Sequence, residues 1–200
     1  MTGSNRSNAK IDKSVSKYLD QLHDQYSKVL ALRVDVGYSK EHSQEMSLDE
    51  IKRDIKHLLN NRRSNRTLFE HQVGYVLKYE YTPCKGPHVH GLFLYDGQYV
   101  QKDSHIGEQL GQYWVKTTDG KGVYYNCNRD KNAYEQCGIG MIDHSDTAKR
   151  AILKDNVIPY MLKAEQSIDG LKSARERSVT KGIIRTRKSN AGRPRSQSPQ

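Results

Sequence analysis

The stretch from Val73 to Tyr95, VGYVLKYEYTPCKGPHVHGLFLY, decides the fold. In its first half Tyr75, Leu77, Tyr79 and Tyr81 fall on one side, with Val76, Lys78 and Glu80 on the other. That period of two is the signature of a strand. A turn, Pro83-Cys84-Lys85-Gly86-Pro87, interrupts it, and His88 to Tyr95 (HVHGLFLY) resumes the extended pattern. A connection this short joins antiparallel neighbours. The chain is therefore expected to carry an antiparallel hairpin at its centre.

Working outward, Val29 to Val36 (VLALRVDV), bounded by Gly37, reads as another strand rich in branched residues. Ser47 with Glu50 three positions later makes a capping box, opening a helix whose apolar side is Leu48, Ile51, Ile55, Leu58 and Leu59. Val15, Tyr18, Leu19, Leu22 and Tyr26 recur at three- and four-residue steps, marking a first helix. Downstream, a helix is expected over Asp103 to Lys116 and strands over Val123 to Asn128 and Cys137 to Asp143. With Asp143, Ser145 and Asp146 as caps, a further helix should span Thr147 to Lys154. A last helix should start near Pro159, a residue suited to the first helical turn, and run toward Ser167. The pattern gives an α+β fold with a single central antiparallel sheet, about five strands, flanked by helices. Residues 1–13 read as a disordered polar tail, 14–170 as the folded domain and 171–200 as a basic disordered tail.

The 33 Lys and Arg against 23 Asp and Glu give a formal charge of +10 and a pI near 9.4. Such a surplus favours a polyanionic partner, of which nucleic acid is the common one. No apolar run reaches bilayer length and no signal pattern follows Met1, so neither membrane nor export is expected. Three cysteines, an odd number without C-x-x-C, fit a reducing cytoplasm.

Chemistry concentrates in two places. His88 and His90, two apart on a strand, project from one face and can converge on a divalent metal. Glu80 on the neighbouring strand falls alongside them. A carboxylate in so apolar a hairpin calls for solvent, a cation or a metal. Two imidazoles and one carboxylate leave coordination positions open, as catalytic metals do. The second place is Tyr160-Met161-Leu162-Lys163, where three-residue spacing on a helix would set phenol and ammonium on one face. Each feature alone is ordinary: paired strand histidines and core tyrosines are common. Their combination and order carry the reading.

These residues resemble the HUH endonucleases, with His88-Val89-His90 as the His-apolar-His motif and Glu80 as its acidic third ligand. Tyr160 with Lys163 is similar to the Y-x-x-K motif of the replication-initiator branch. Relaxases place the tyrosine before the histidines, and the small single-strand transposases resemble Y-x-x-x-Q, whereas Ala164 stands here. Arg33-Val34-Asp35-Val36, YEY…HVHG and the late Ile158-Pro159-Tyr160-Met161-Leu162-Lys163 are similar to the filamentous-phage (inovirus) replication proteins and to the YagK/YfjJ C-terminal-domain family.

The resemblance implies an HUH/RRM-like sheet and Mg2+ or Mn2+ held by His88, His90 and Glu80. Asp35 is a candidate support for the metal site, behind its ligands, or simply a strand-end polar residue. It further implies a rolling-circle initiator in which Tyr160 nicks a single-stranded DNA origin, leaving a 5′-phosphotyrosine. Only one suitable tyrosine is present, so a single-tyrosine mechanism is implied. The chain has no G-x-x-x-x-G-K-[ST], so unwinding would fall to a separate helicase of the host. In the tail, Gly192-Arg193-Pro194-Arg195 resembles an AT-hook core, and Arg193 and Arg195 are candidate DNA contacts, as AT-hook arginines or through phosphates alone. Two rival readings stay open. One is a DNA-binding or regulatory protein of the same fold that does not cut. The other is a structural zinc site using Cys84, His88, His90 and either Cys127 or Cys137.

Overall fold

The computed structural model describes residues 3–61, 64–163, 168 and 177–184, with side chains from residue 9 onward. The expected hairpin is its centre. Strand β2 (Gln72–Thr82) and strand β3 (Gly86–Asp96) run antiparallel, with Glu80 opposite His88 and Lys78 opposite His90. Strand β1 (Lys28–Tyr38) lies along the other side of β3 and sets Asp35 opposite His90. Two shorter strands share the free edge of β1: β4 (Gly122–Asn126) at its C-terminal half and β5 (Gly140–Asp143) at its start. A sixth strand, β6 (Val179–Lys181), closes the far edge against β2, giving the order β4-β1-β3-β2-β6 with β5 also on β1.

Helices cover both faces, which is why β1 and β3 read as near-continuous apolar runs. One face packs Leu30, Leu32, Val34, Leu77, Tyr79, Val89 and Phe93 against three helices: α2 (Leu48–Asn60), α3 (Arg66–Phe69) and α4 (Asp103–Thr117). The capping box forms, with the Glu50 carboxylate accepting from the Ser47 backbone N–H at 2.7 Å. The opposite face packs Val29, Ala31, Val76, Leu92 and Leu94 against α1 (Gly3–Gln25) and a C-terminal helical run. Tyr18, Leu19 and Leu22 form the buried stripe of α1. Among the described residues, no helix is long and apolar enough to cross a membrane.

Three expectations need correction. The helix α1 begins at Gly3 and takes in most of the stretch read as a tail, because no Gly or Pro interrupts it before Gln25. Strand β6 falls inside the stretch read as a basic tail. Three residues are too few to show alternation, and their order comes from pairing with β2. Among the described residues the sheet has six strands, in keeping with the single antiparallel sheet of about five that was expected. Finally, the two late helices are one continuous run: α5 (Thr147–Ile152), a π turn (Leu153–Val157) and α6 (Ile158–Met161). Pro159 would clash with the carbonyl one α-turn back. The wide turn absorbs it, with the Ile158 N–H reaching the Leu153 carbonyl. Helix α6 ends at Met161, well short of Ser167, which lies outside the described residues.

Candidate active site

Three adjacent strands build the site, on the face that carries α1 and α6. Because opposed residues of antiparallel strands share a face, Asp35 (β1), His90 (β3) and Lys78 (β2) form one row. In the next row His88 faces Glu80. The side chains of Glu80, His88 and His90 offer one ligand atom each within 4.8 Å of one another, and theirs is the sole such His/Cys/Asp/Glu cluster among the described residues. Oε2 of Glu80 lies 3.4 Å from Nε2 of His88 and 3.2 Å from Nε2 of His90. Glu80 is only 4% exposed. No cysteine joins the cluster: Cys84 is exposed on the hairpin turn, Cys127 is buried and Cys137 lies half-buried, so the four-ligand zinc arrangement does not assemble.

The far side of each imidazole is also engaged. Nδ1 of His90 lies 2.8 Å from Oδ2 of Asp35, and Nδ1 of His88 lies 3.0 Å from the Gly86 carbonyl. His88 Nδ1–H donates to the Gly86 carbonyl and His90 Nδ1 faces the Asp35 carboxylate, so both rings turn their Nε2 atoms toward Glu80. Without metal the His90 Nε2–H donates to Glu80, and an ion would take that hydrogen's place. Burial alone would lower the His90 pKa and raise that of Glu80. The two carboxylates beside His90 outweigh burial and hold it up at about 9, while the two imidazoles bring Glu80 down to about 2. A buried carboxylate thus stays charged between two imidazoles, and a divalent ion at the convergence of the three ligand atoms would replace the proton that His90 otherwise keeps. Two nitrogens and an oxygen suit Mn2+ or a borderline metal, and Mg2+ through the carboxylate. The residues present fit the ion.

Tyr160 projects from α6 and is 58% exposed, so its ring does not belong to the core. Two cations flank it. The Arg33 guanidinium carbon lies 4.9 Å from the ring centroid, and Lys163 Nζ lies at 5.2 Å. Lys163 stands just beyond the end of α6, so its nearness comes from the turn after Met161 and not from a shared helical face. Arg33 is the link that sequence reading missed. It is nearly buried, stacks on Tyr160 and reaches Oδ2 of Asp35 at 3.3 Å, the oxygen that also faces His90. A chain of contacts, Tyr160–Arg33–Asp35–His90, so joins the phenol to the imidazole pair. The signal was present: Arg33 and Asp35 are charged residues two apart in an otherwise apolar strand, hence on one face. Its backbone is fixed as well, since the Arg33 N–H donates to the buried Asn128 side chain at 2.8 Å.

Outside this group, His144 is structural, its Nδ1 2.7 Å from the His23 carbonyl. Arg193 and Arg195 lie outside the described residues.

No curated protein and no solved structure gives a significant match to the chain. The family model for the YagK/YfjJ C-terminal domain matches residues 4–174, a span that holds every strand and helix named above except β6 and the first residue of α1. By that match the chain belongs to the YagK/YfjJ C-terminal domain family.

Proposed function

We propose that the protein is a divalent-metal-dependent, single-tyrosine DNA endonuclease of the HUH type, nicking single-stranded DNA to start rolling-circle replication. The observation that carries this reading is the convergence of Glu80, His88 and His90, with an exposed tyrosine tied to the same cluster through Arg33 and Asp35. A non-cutting DNA-binding protein would account for the +10 charge but has no use for that convergence.

A bound Mg2+ or Mn2+ supplies Lewis-acid polarisation of the scissile phosphate. His88, His90 and Glu80 would hold it, and Asp35, behind the His90 ring, would keep its Nε2 turned toward the ion. The Tyr160 Oη forms a bond to phosphorus as the bond from phosphorus to the 3′-oxygen breaks. The phenolic proton passes to solvent and the departing 3′-oxygen takes one from solvent, so the products are a 5′-phosphotyrosine and a free 3′-hydroxyl. Arg33 and Lys163, within about 5 Å of the ring centroid, lower the cost of negative charge on the phenolate and on the phosphate. Unwinding of duplex DNA is assigned to a separate host helicase.

The test is a covalent-adduct assay with a 3′-labelled single-stranded oligonucleotide library and Mn2+. A 5′-phosphotyrosine leaves the label on the protein through denaturing electrophoresis. The labelled band should vanish with chelator and in Tyr160→Phe. A Tyr160→Phe protein that still carries label would refute the assignment of the nucleophile, and a wild-type protein that never acquires label would favour the binding-only reading.

A further inference from the structure

Beside the metal ligands the sheet has a gap. The residues that share this face along one row, from the β4 edge inward, are Val123, Gly37, His88 and Glu80. Gly37 supplies no side chain, so a hollow opens between Val123 and His88. It is part of a cleft of about 540 Å³ that reaches His88 and His90. Gly37 has an ordinary strand conformation, since the glycines with positive φ are Gly86, Gly120 and Gly140. Its backbone therefore does not need glycine, and a strand glycine costs stability relative to alanine. What glycine gives here is clearance: a Cβ on residue 37 would stand 3.2 Å from the His88 Cβ, closer than ordinary contact, and would crowd the cleft wall at His88. A strand glycine whose backbone does not require glycine often marks a close approach by a ligand or another backbone.

The walls indicate what approaches. In the adjacent row, Tyr125 on β4 is opposite Asp35, which is opposite His90. Two strand spacings put its Cα roughly 10 Å from that of His90. Tyr125 is 54% exposed and Val123 46% exposed, an aromatic and an aliphatic side chain displayed on a sheet edge where solvent-facing positions are usually polar. The Tyr125 hydroxyl donates to Asp130 at 3.0 Å, which fixes the ring instead of leaving it to rotate. Lys40 and Lys85 line the same cleft. A flat apolar platform, two ammonium groups and a metal-ligating wall within one hollow match a nucleotide: a base for the platform, phosphates for the lysines.

We infer that Val123 and Tyr125, with the hollow above Gly37, form a subsite for one unpaired nucleotide next to the phosphate held at His88 and His90. This deepens the reading of the chain as a single-stranded-DNA enzyme and rests on it. The subsite takes the base by stacking, which every base allows, and Lys40 and Lys85 hold the backbone that leads into it. The fold places no comparable requirement on these residues. Tyr125 belongs to neither of the two cores.

The experiment compares two fluorescent probes of equal length and charge, a short oligothymidylate and its abasic counterpart, by anisotropy with the full chain in chelator. The wild type should prefer the probe with bases by roughly tenfold, the scale of one good stacking contact. Tyr125→Ala should bring that ratio close to one while leaving affinity for the abasic probe unchanged, and Tyr125→Phe should keep it. A Tyr125→Ala protein with the wild-type ratio, or a wild type with no preference, overturns the subsite. Because nothing is cleaved in chelator, the result is separable from the nicking reading. A wild type that forms the covalent adduct while Tyr125→Ala keeps its base preference sinks the subsite alone. A collapse of that preference in a protein that never forms the adduct supports the subsite and removes the endonuclease.

Discussion

Asp35 is the residue whose replacement says most about the cluster. It is not one of the three ligands; it lies behind His90 and beside Arg33. In Asp35→Asn the amide can donate to His90 Nδ1, which selects the tautomer with its proton on Nε2, where the metal should be. Affinity for Mn2+ should fall by about 10- to 100-fold, measured by calorimetry, since groups that hold the far nitrogen of a ligating histidine carry effects of that size. An unchanged affinity would mean that Asp35 plays no part in orienting the ligand. A different histidine governs acid stability. His23 is buried in α1, and burial first, then the nearby Arg150 and His144, lower its pKa from 6.5 to about 4. The unfolded chain therefore takes a proton more readily than the folded one. The resulting stability is complete above pH 6.5 and is lost as pH falls toward 4, about 3 kcal/mol in all. His23→Gln should flatten the dependence of the melting temperature across that window, and a slope unchanged from wild type would remove His23 as its source.

At the scale of elements, the packing of α4 on β4 gives a prediction that runs against helix propensity. Gly111 is buried within α4, and alanine would normally improve a helix by about 1 kcal/mol. A Cβ there would run into the ring of Tyr124, which backs β4. Gly111→Ala should therefore destabilise, by roughly 1 to 3 kcal/mol on the scale of overpacked interiors, as read by urea unfolding. The same elements show what a sequence can and cannot reveal. The hairpin was legible because alternation, a short turn and the two histidines all point one way, and the capping box located α2 to the residue. The unity of the run from Thr147 to Met161 was not legible. Proline reads as a helix start, and nothing local announces a π turn that lets the helix pass it. Strand β6 was hidden for a related reason, since three residues become a strand only by borrowing the edge of β2. At the site, Glu80, His88 and His90 could be placed together from strand parity. Arg33 needed the third dimension, because its partner Tyr160 is more than a hundred residues away and their meeting depends on how the C-terminal run crosses the sheet.

For the whole molecule, the placement of the triad predicts how metal and folding are coupled. The sheet is sandwiched between two apolar clusters, one under α2, α3 and α4 and one under α1 and the C-terminal run, and neither includes a metal ligand. The chain should therefore fold without metal, unlike a small domain organised around structural zinc. Removal with chelator should leave the far-UV dichroism unchanged. Yet the three ligands come from β2 and β3, so an ion that binds them must bind the folded state alone and stabilise it by mass action. At a concentration about 100 times the dissociation constant this amounts to about 2.7 kcal/mol. For a domain of this size each kcal/mol corresponds to about 2–4 °C, so Mn2+ should raise the melting temperature by about 5–10 °C. His88→Ala and Glu80→Gln should abolish the rise. A shift that survives both substitutions would place the ion elsewhere on the protein. A chain that unfolds in chelator would mean that the two cores do not suffice, and that the metal is structural after all.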